Sequence, residues 1–365
     1  MKIAILGTHG IPARYGGFET CAEEISVRLA RKGHSVVVYS KSDGKDGALT
    51  EYKGVRLVQF RKFRKQYADY AYHGIMTTAH AIASDADVLH FFGCDHVPFA
   101  LLGRLARKKV VLTVDGLEWR RMGYPFVYKA YLRSFAELAM VFPHSTVADS
   151  RSSQSWYAQR TGVTPEYIPY GTTLSSGIDE AVLAKYGIEK DRYILFVGRL
   201  VHEKGIHTLI EAFKSVRTDL KLVIVGGTIS PGQYVENIRR MADSRVVFLG
   251  YVHGHEYESI RNAAQIYVHP SLFDGTSISL LGAMGAGRSV ISSDLRENVD
   301  VGGEGVLYFR KDDPADLAMR LQELLDIPGE VQVWRERALA RARSLPDWDS
   351  IADSYESLYR RLPTA

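Results

Sequence analysis

Cysteine is nearly missing from this chain: Cys21 and Cys94 are the two in 365 residues. Two thiols make neither a disulfide framework nor a cysteine-based zinc site, and they read as reduced thiols of a cytoplasmic protein. No uninterrupted apolar run reaches about 18 residues, which excludes a transmembrane helix. The opening Met1-Lys-Ile-Ala-Ile-Leu6 meets Gly7 too early for the apolar core of a signal peptide and reads as a strand. Short-period repeats and low-complexity segments are absent. So is the dinucleotide fingerprint G-x-G-x-x-G. No Asp-x-Asp pair stands in a loop suited to a metal, so neither an obligatory metal nor a cofactor is expected. His9, His73, His90, His202 and His269 show no ligand spacing and read as structural or surface residues.

What is present is globular: 46% hydrophobic and 24% charged residues. The length suits two domains. The net charge of +4 is unevenly spread. Residues 1–170 hold 23 Lys and Arg against 15 Asp and Glu, the remainder 23 against 27. That basic bias favours an anionic partner; the bland alternative is a scattered solvated surface.

The chain is organised around Tyr193–Phe213. Tyr193–Val197 is a run of aromatic and aliphatic residues, as in a buried parallel strand. Gly198 ends it, and Ile206, Leu209, Ile210 and Phe213 then recur at helical spacing. Arg199 and Lys204 lie in the loop between, each beside a glycine. Main-chain N–H groups, a helix start and two cations suit a diphosphate; the bland reading is an ordinary turn.

The rest repeats this βα rhythm. Residues 2–6, a Gly/Pro loop at 8–17, a helix from Phe18 and a strand at 35–39 make a βαβ opening, hence a Rossmann-like half. Gly16 and Gly17 stand at the helix start, where backbone can approach an anionic or sugar ligand. Further strands are expected at 55–60, 87–92, 110–114 and 145–149, then at 193–197, 221–225, 246–249, 265–268, 289–292 and 306–309. The basic–aromatic stretch Arg61–Lys65 with Tyr67, Tyr70 and Tyr72 suits an anionic membrane surface or a plain exposed loop. No motif supports nucleic-acid binding. Asp115 follows a strand at its carboxyl end, where open parallel sheets bind ligands. It orients an acceptor or donor hydroxyl, or caps its loop. Glu118, Trp119 and Arg120 are acceptor-binding candidates, with Trp119 open to a core reading.

Five motifs then arrive in order: Gly16-Gly17-Phe18-Glu19, Ile168-Pro-Tyr-Gly171, Gly198-Arg199, Glu203-Lys204-Gly205, and Asp274-Gly-Thr-Ser277 with Leu280–Met284. In this the chain resembles the retaining glycosyltransferases of family 4, over nearly its whole length. GTHGIPARYGGFET and DGLEWRR look closer to a rhamnosyltransferase-like subgroup that extends lipid-linked sugars for surface polysaccharides. The resemblance implies the GT-B fold: two Rossmann-like parallel-sheet domains facing a cleft. Residues 1–170, with a returning helix 348–365, would form the acceptor side, and 171–347 the nucleotide-sugar side.

It further implies a retaining transfer from a nucleotide sugar to a glycan or polyprenyl-linked acceptor, at the inner face of the cytoplasmic membrane. Asp115, Asp274, Arg199 and Lys204 would be catalytic. Gly16, Gly17, Gly198, Arg199, Lys204, Tyr251, Asp274, Gly275, Thr276, Ser277, Ser279, Leu280 and Leu281 would bind the donor. Three departures stand out. The first acid of the family's Glu-x7-Glu motif is Asp274. The second, which holds the ribose hydroxyls, is Gly282, and restoring Glu there is expected to tighten nucleotide binding. Many members carry His where this chain has Asp115, although the subgroup often has Asp. The alternatives are a degenerate sugar-nucleotide-binding protein and a nucleotide-sugar 2-epimerase.

Overall fold

Strand and helix alternate along the chain and build two sheets in which nearly every neighbouring pair is parallel. The computed structural model describes all residues except 14–15, 43–48, 64–65, 116–118, 120–124, 229–231 and 364–365. The chain forms two units, Met1–Gly171 with Asp347–Ala365, and Thr172–Pro346.

The first unit holds β1 (Lys2–Leu6), β2 (Ser35–Ser42), β3 (Glu51–Tyr52), β4 (Val55–Arg61), β5 (Val88–Phe92), β6 (Lys109–Val114), β7 (Ser145–Ala148) and β8 (Glu166–Tyr167). They lie in the order β3-β4-β2-β1-β5-β6-β7-β8, with only the β3–β4 pair antiparallel. The chain leaves β1 toward β2 and later returns to β1's other side with β5, so the strand order reverses between β1 and β5. β5 is buried along its whole length, as a strand covered on both faces must be.

The last helix, Trp348–Arg361, belongs to this unit and packs on the helix Gly17–Arg31. Trp348, Ile351, Tyr355, Leu358 and Tyr359 form its buried stripe. Asp347 caps it by accepting from the Ser350 N–H at 2.8 Å. Its polar face meets Arg28 through Asp349 at 2.8 Å and Lys32 through Asp353.

Tyr70 and Tyr72 do not sit in a loop: they lie in a helix, Gln66–Ala83. Its buried face reads Asp69, His73, Gly74, Thr77, Thr78 and Ala81. Four of the six are polar, which hides the helical period from a hydrophobicity pattern. Of the expected basic run, residues 64–65 fall outside the described residues.

The second unit holds β9 (Tyr193–Val197), β10 (Lys221–Val225), β11 (Val246–Gly250), β12 (Ile266–His269), β13 (Ser289–Ser293) and β14 (Leu307–Phe309). All neighbours are parallel, in the order β11-β10-β9-β12-β13-β14. This is the doubly wound arrangement, with its reversal between β9 and β12. Helix side chains such as Ile206, Leu209, Ile210 and Phe213 close one face of the sheet. At about 1.5–3 kcal/mol for each such side chain removed from water, they fix the strand ends that carry the site.

Candidate functional site

In an open parallel sheet the loops at the carboxyl ends of the strands splay apart where the order reverses, and ligands enter there. In the second unit, that point lies between the exits of β9 and β12. Arg199 leaves β9 directly after Gly198, and Lys204 closes a short 3-10 turn, His202–Lys204. Gly205 follows at φ +65, and a Cβ there would stand 1.9 Å from the Pro270 carbonyl. Only glycine permits both the left-handed conformation and this approach. The Glu203 carbonyl accepts from the N–H of Leu272 at 2.8 Å and of Phe273 at 3.3 Å. The two exit loops are thereby joined.

That junction brings Lys204 and Asp274 together, Nζ to Oδ2, at 2.6 Å. The same Oδ2 receives His269 Nε2 at 3.0 Å and Ser271 Oγ at 3.1 Å. Burial alone would raise the Asp274 carboxyl, but Lys204 and His269 outweigh it and hold the group far below the usual carboxylate range. Burial pushes the His269 imidazole below its ordinary value, against the pull of Asp274. A neutral His269 therefore donates from Nε2 to Asp274, while the Tyr267 hydroxyl stands 3.4 Å from its Nδ1. Asp274 Oδ1 has no hydrogen-bond partner among the described residues and is the acceptor that remains for a ligand hydroxyl.

The flanking loop supplies Gly275, Thr276 and Ser277. Ser277 caps the helix Ile278–Gly285, its Oγ accepting from the Leu280 N–H at 3.4 Å and lying 3.1 Å from Ser279 Oγ. Leu280 points into the core with Ala283 and Met284, so its side chain is not a donor contact; Leu281 is buried too. Tyr251 is half exposed after β11, its ring stacked on His253 with centroids 6.0 Å apart.

In the first unit, Asp115 follows β6 at its carboxyl end. Gly16 caps the helix Gly17–Arg31 through its carbonyl, which accepts from Thr20 N at 3.2 Å. Trp119 is a core residue: it is buried, with its ring 4.8 Å from Trp156, and it is not placed to grip an acceptor. Glu118 and Arg120 lie outside the described residues.

Two groups escaped sequence reasoning. In the sequence His269 reads as a structural or surface residue for want of ligand spacing, yet its partner Asp274 is five residues on, across a loop. The second group is Asp95 and His96, just beyond β5 at the reversal point of the first unit. Asp95 Oδ1 lies 3.0 Å from His96 Nδ1, and Tyr128 donates to Oδ2 at 3.3 Å. Burial would raise the Asp95 carboxyl, yet His96 and Tyr128 hold it below its ordinary value. His96 Nε2 has no partner among the described residues. A carboxylate that orients an imidazole with its outer nitrogen bare is an arrangement suited to a substrate hydroxyl. No sequence spacing marks it. Among the described residues, no cluster of His, Cys, Asp and Glu is placed to hold a metal.

Residues 15–176 match the family described as Glycosyltransferase Family 4, and residues 191–326 the family described as Glycosyl transferases group 1. An uncharacterized glycosyltransferase of Methanocaldococcus jannaschii is 31% identical over 182 residues, 48% of this chain and 46% of that protein. The chain spans about half the length of the first curated relatives it matches. O-antigen chain mannosyltransferase C of Escherichia coli is 24% identical over 396 residues, 96% of each chain. The structure of Anabaena HepE in complex with UDP and glucose superposes with a TM-score of 0.83 at 19% identity, covering 99% of this chain and 100% of that one, a likeness of fold.

Proposed function

We propose, from the family 4 match in its first half and the group 1 match in its second, that the chain is a glycosyltransferase that moves a sugar from a nucleoside diphosphate donor to a hydroxyl of a glycan or polyprenyl-linked acceptor. Transfer proceeds with retention and without an obligatory metal, and a rhamnose-like sugar or another hexose fits the subgroup resemblance. The observation that carries this reading is the Lys204–Asp274–His269 cluster at the reversal point of the second sheet.

The bond between the anomeric carbon and the diphosphate breaks, a bond to the acceptor oxygen forms on the same face, and the acceptor proton leaves with the diphosphate. Arg199 and Lys204 meet the charge developing on that leaving group, the work a metal does elsewhere. Asp274, held ionised with Oδ1 open, accepts from a donor-sugar hydroxyl and favours positive charge at the anomeric carbon. Gly16, Gly17, Gly275, Thr276 and Ser277 present backbone, and Asp115 orients the acceptor.

A lipid-linked acceptor is supported by the first unit's surface. Leu105, Phe126 and Val127 are 72%, 83% and 79% exposed, and Arg104, Arg107, Lys108 and Lys109 lie near Leu105 in sequence. Exposed apolar side chains beside cations suit an anionic bilayer surface. Among the described residues no helix is long and apolar enough to cross a membrane.

The test is kinetic. A thermal-shift screen over nucleotide sugars finds the donor, since a ligand of the folded state raises its apparent stability. Arg199→Ala and Lys204→Ala should each then lower kcat/KM by about 10–100-fold, the worth of one charge-assisted contact. Unchanged kinetics in both remove the diphosphate assignment. Gly282 favours one second reading, a protein that binds the donor without turnover; stabilisation by a nucleotide sugar with no product for any acceptor would establish it.

A further inference from the structure

Charge buried without a partner is costly, and proteins keep it where a ligand completes it. Arg261, on the helix Gly254–Ala263, is such a charge. It is 7% exposed, and no carboxylate pairs with it among the described residues. Its Nε and Nη2 reach one neutral oxygen, Asn262 Oδ1, at 3.3 Å each. Asn262 is itself held, its Nδ2 donating to Ser175 Oγ at 2.8 Å and to the Gly177 carbonyl at 2.7 Å. The Tyr257 ring lies 5.3 Å from the guanidinium carbon. Nη1 makes no hydrogen bond among the described residues and keeps contact with solvent.

Nη1 points at Gly282. A Cβ on that residue would stand 3.0 Å from Nη1 and 3.5 Å from Cδ. Any side chain at 282 would press on the end of the guanidinium, which would have to give by a few tenths of an ångström. The place belongs to the cluster already described. Gly282 lies one turn beyond Ser279 on the helix that opens at Ser277. Ser279 stands beside the Tyr267 hydroxyl, and that hydroxyl feels both Asp274 and Arg261. Polar contacts run from Lys204 through Asp274 and His269 to Tyr267, and Arg261 meets the neighbouring helix at Gly282.

We propose that Arg261, beside Gly282, is a contact for the nucleoside end of the donor, its Nη1 donating to a base carbonyl oxygen of a nucleoside diphosphate. This rests on the reading of Lys204 and Asp274 as the diphosphate and sugar end. A guanidinium donates and never accepts, so it does not read the hydrogens of the ribose diol as a carboxylate would. The site therefore takes ribo- and 2′-deoxyribonucleotides alike.

Calorimetry with UDP, GDP, ADP and dTDP, and with 2′-deoxy-UDP as the matched partner of UDP, tests this, together with melting curves of the ligand-free protein. Arg261→Met keeps length and packing and removes the charge. It should weaken the best-binding nucleotide about tenfold or more, while the ligand-free melting temperature holds or rises because an unpaired buried cation is gone. Gly282→Glu should pair with Arg261, raise the melting temperature and weaken the nucleotide. UDP and 2′-deoxy-UDP should bind within about threefold of each other, a margin well below one hydrogen bond to a charged group. If Arg261→Met binds every nucleotide as the parent does while Lys204→Ala weakens them, Arg261 is no ligand contact and the donor reading survives. If Lys204→Ala changes nothing either, the donor reading falls and this inference with it. Gly282→Glu binding more tightly than the parent also overturns the inference.

Discussion

Acid should weaken the first unit through a single imidazole. His90 lies in the middle of β5, fully buried, with Nδ1 2.8 Å from the Tyr359 hydroxyl and Nε2 2.7 Å from Thr113 Oγ1. Tyr359 sits on the last helix, so the contact ties that helix to the sheet. Burial lowers the His90 pKa from 6.5 to about 3. The folded value is depressed, so the neutral ring contributes its full stability above pH 6.5 and loses it progressively as pH falls toward 3. Each unit is worth about 1.36 kcal/mol, so at pH 5 the loss is about 2 kcal/mol. Urea unfolding at pH 7 and pH 5, followed by the fluorescence of the Trp119–Trp156 pair in this unit's core, reads it out. His90→Gln keeps hydrogen-bonding groups for both partners and does not titrate. Other histidines, His9 and His73 among them, shift in the same direction and contribute to both proteins. The difference between the two isolates His90. An equal loss between pH 7 and pH 5 in parent and variant would refute the argument.

Asp274→Asn removes the charge that occupies Lys204, so nucleoside diphosphates should bind a few-fold more tightly while turnover falls by about 100-fold, the scale of one lost electrostatic contact at a reacting centre. Calorimetry and steady-state rates on the same preparation separate the two, and a parallel loss of both would place Asp274 on the diphosphate instead. Binding to anionic vesicles should occur at low salt and fade as ionic strength shortens the screening length; absence of binding at low salt argues for an acceptor in solution. In its neutral form His96 should carry its proton on Nδ1, toward Asp95, visible in ¹⁵N spectra of histidine-labelled protein. Asp95→Asn should erase that preference, and a parent ring protonated on Nε2 would dismiss the dyad.

Strands were legible wherever burial on both faces makes a continuous aliphatic run. Tyr193–Val197 and Lys221–Val225 have the residues expected for them, because each is bounded by glycine or charge. The two-residue strands Glu51–Tyr52 and Glu166–Tyr167 were not legible: pairing at a sheet edge by two residues leaves no period to read. The helix Gln66–Ala83 was lost for another reason, since its buried face carries Asp69, His73, Thr77 and Thr78, polar residues that leave no apolar stripe to read. Asp69 alone meets Lys41 Nζ at 2.8 Å and the Phe63 N–H at 2.7 Å.

The site was legible where a motif keeps its partners close in sequence and illegible where the fold brings them together. Lys204 and Asp274 were both singled out, but each for the ligand; that they hold each other at 2.6 Å follows from two loops meeting at a sheet reversal, 70 residues apart in the chain. Gly282 shows the harder limit. As a letter in a row it is a missing acceptor, and restoring Glu looks like a repair. In three dimensions, the place beside it is filled by a cation from a helix more than 20 residues earlier, at a separation that leaves no room for a Cβ without displacement. A carboxylate added there meets Arg261 before it meets any ribose. The expected sign of the substitution therefore reverses, from tighter nucleotide binding to weaker, because the electrostatics of a position belong to its neighbours in space and not to the residue that stands there.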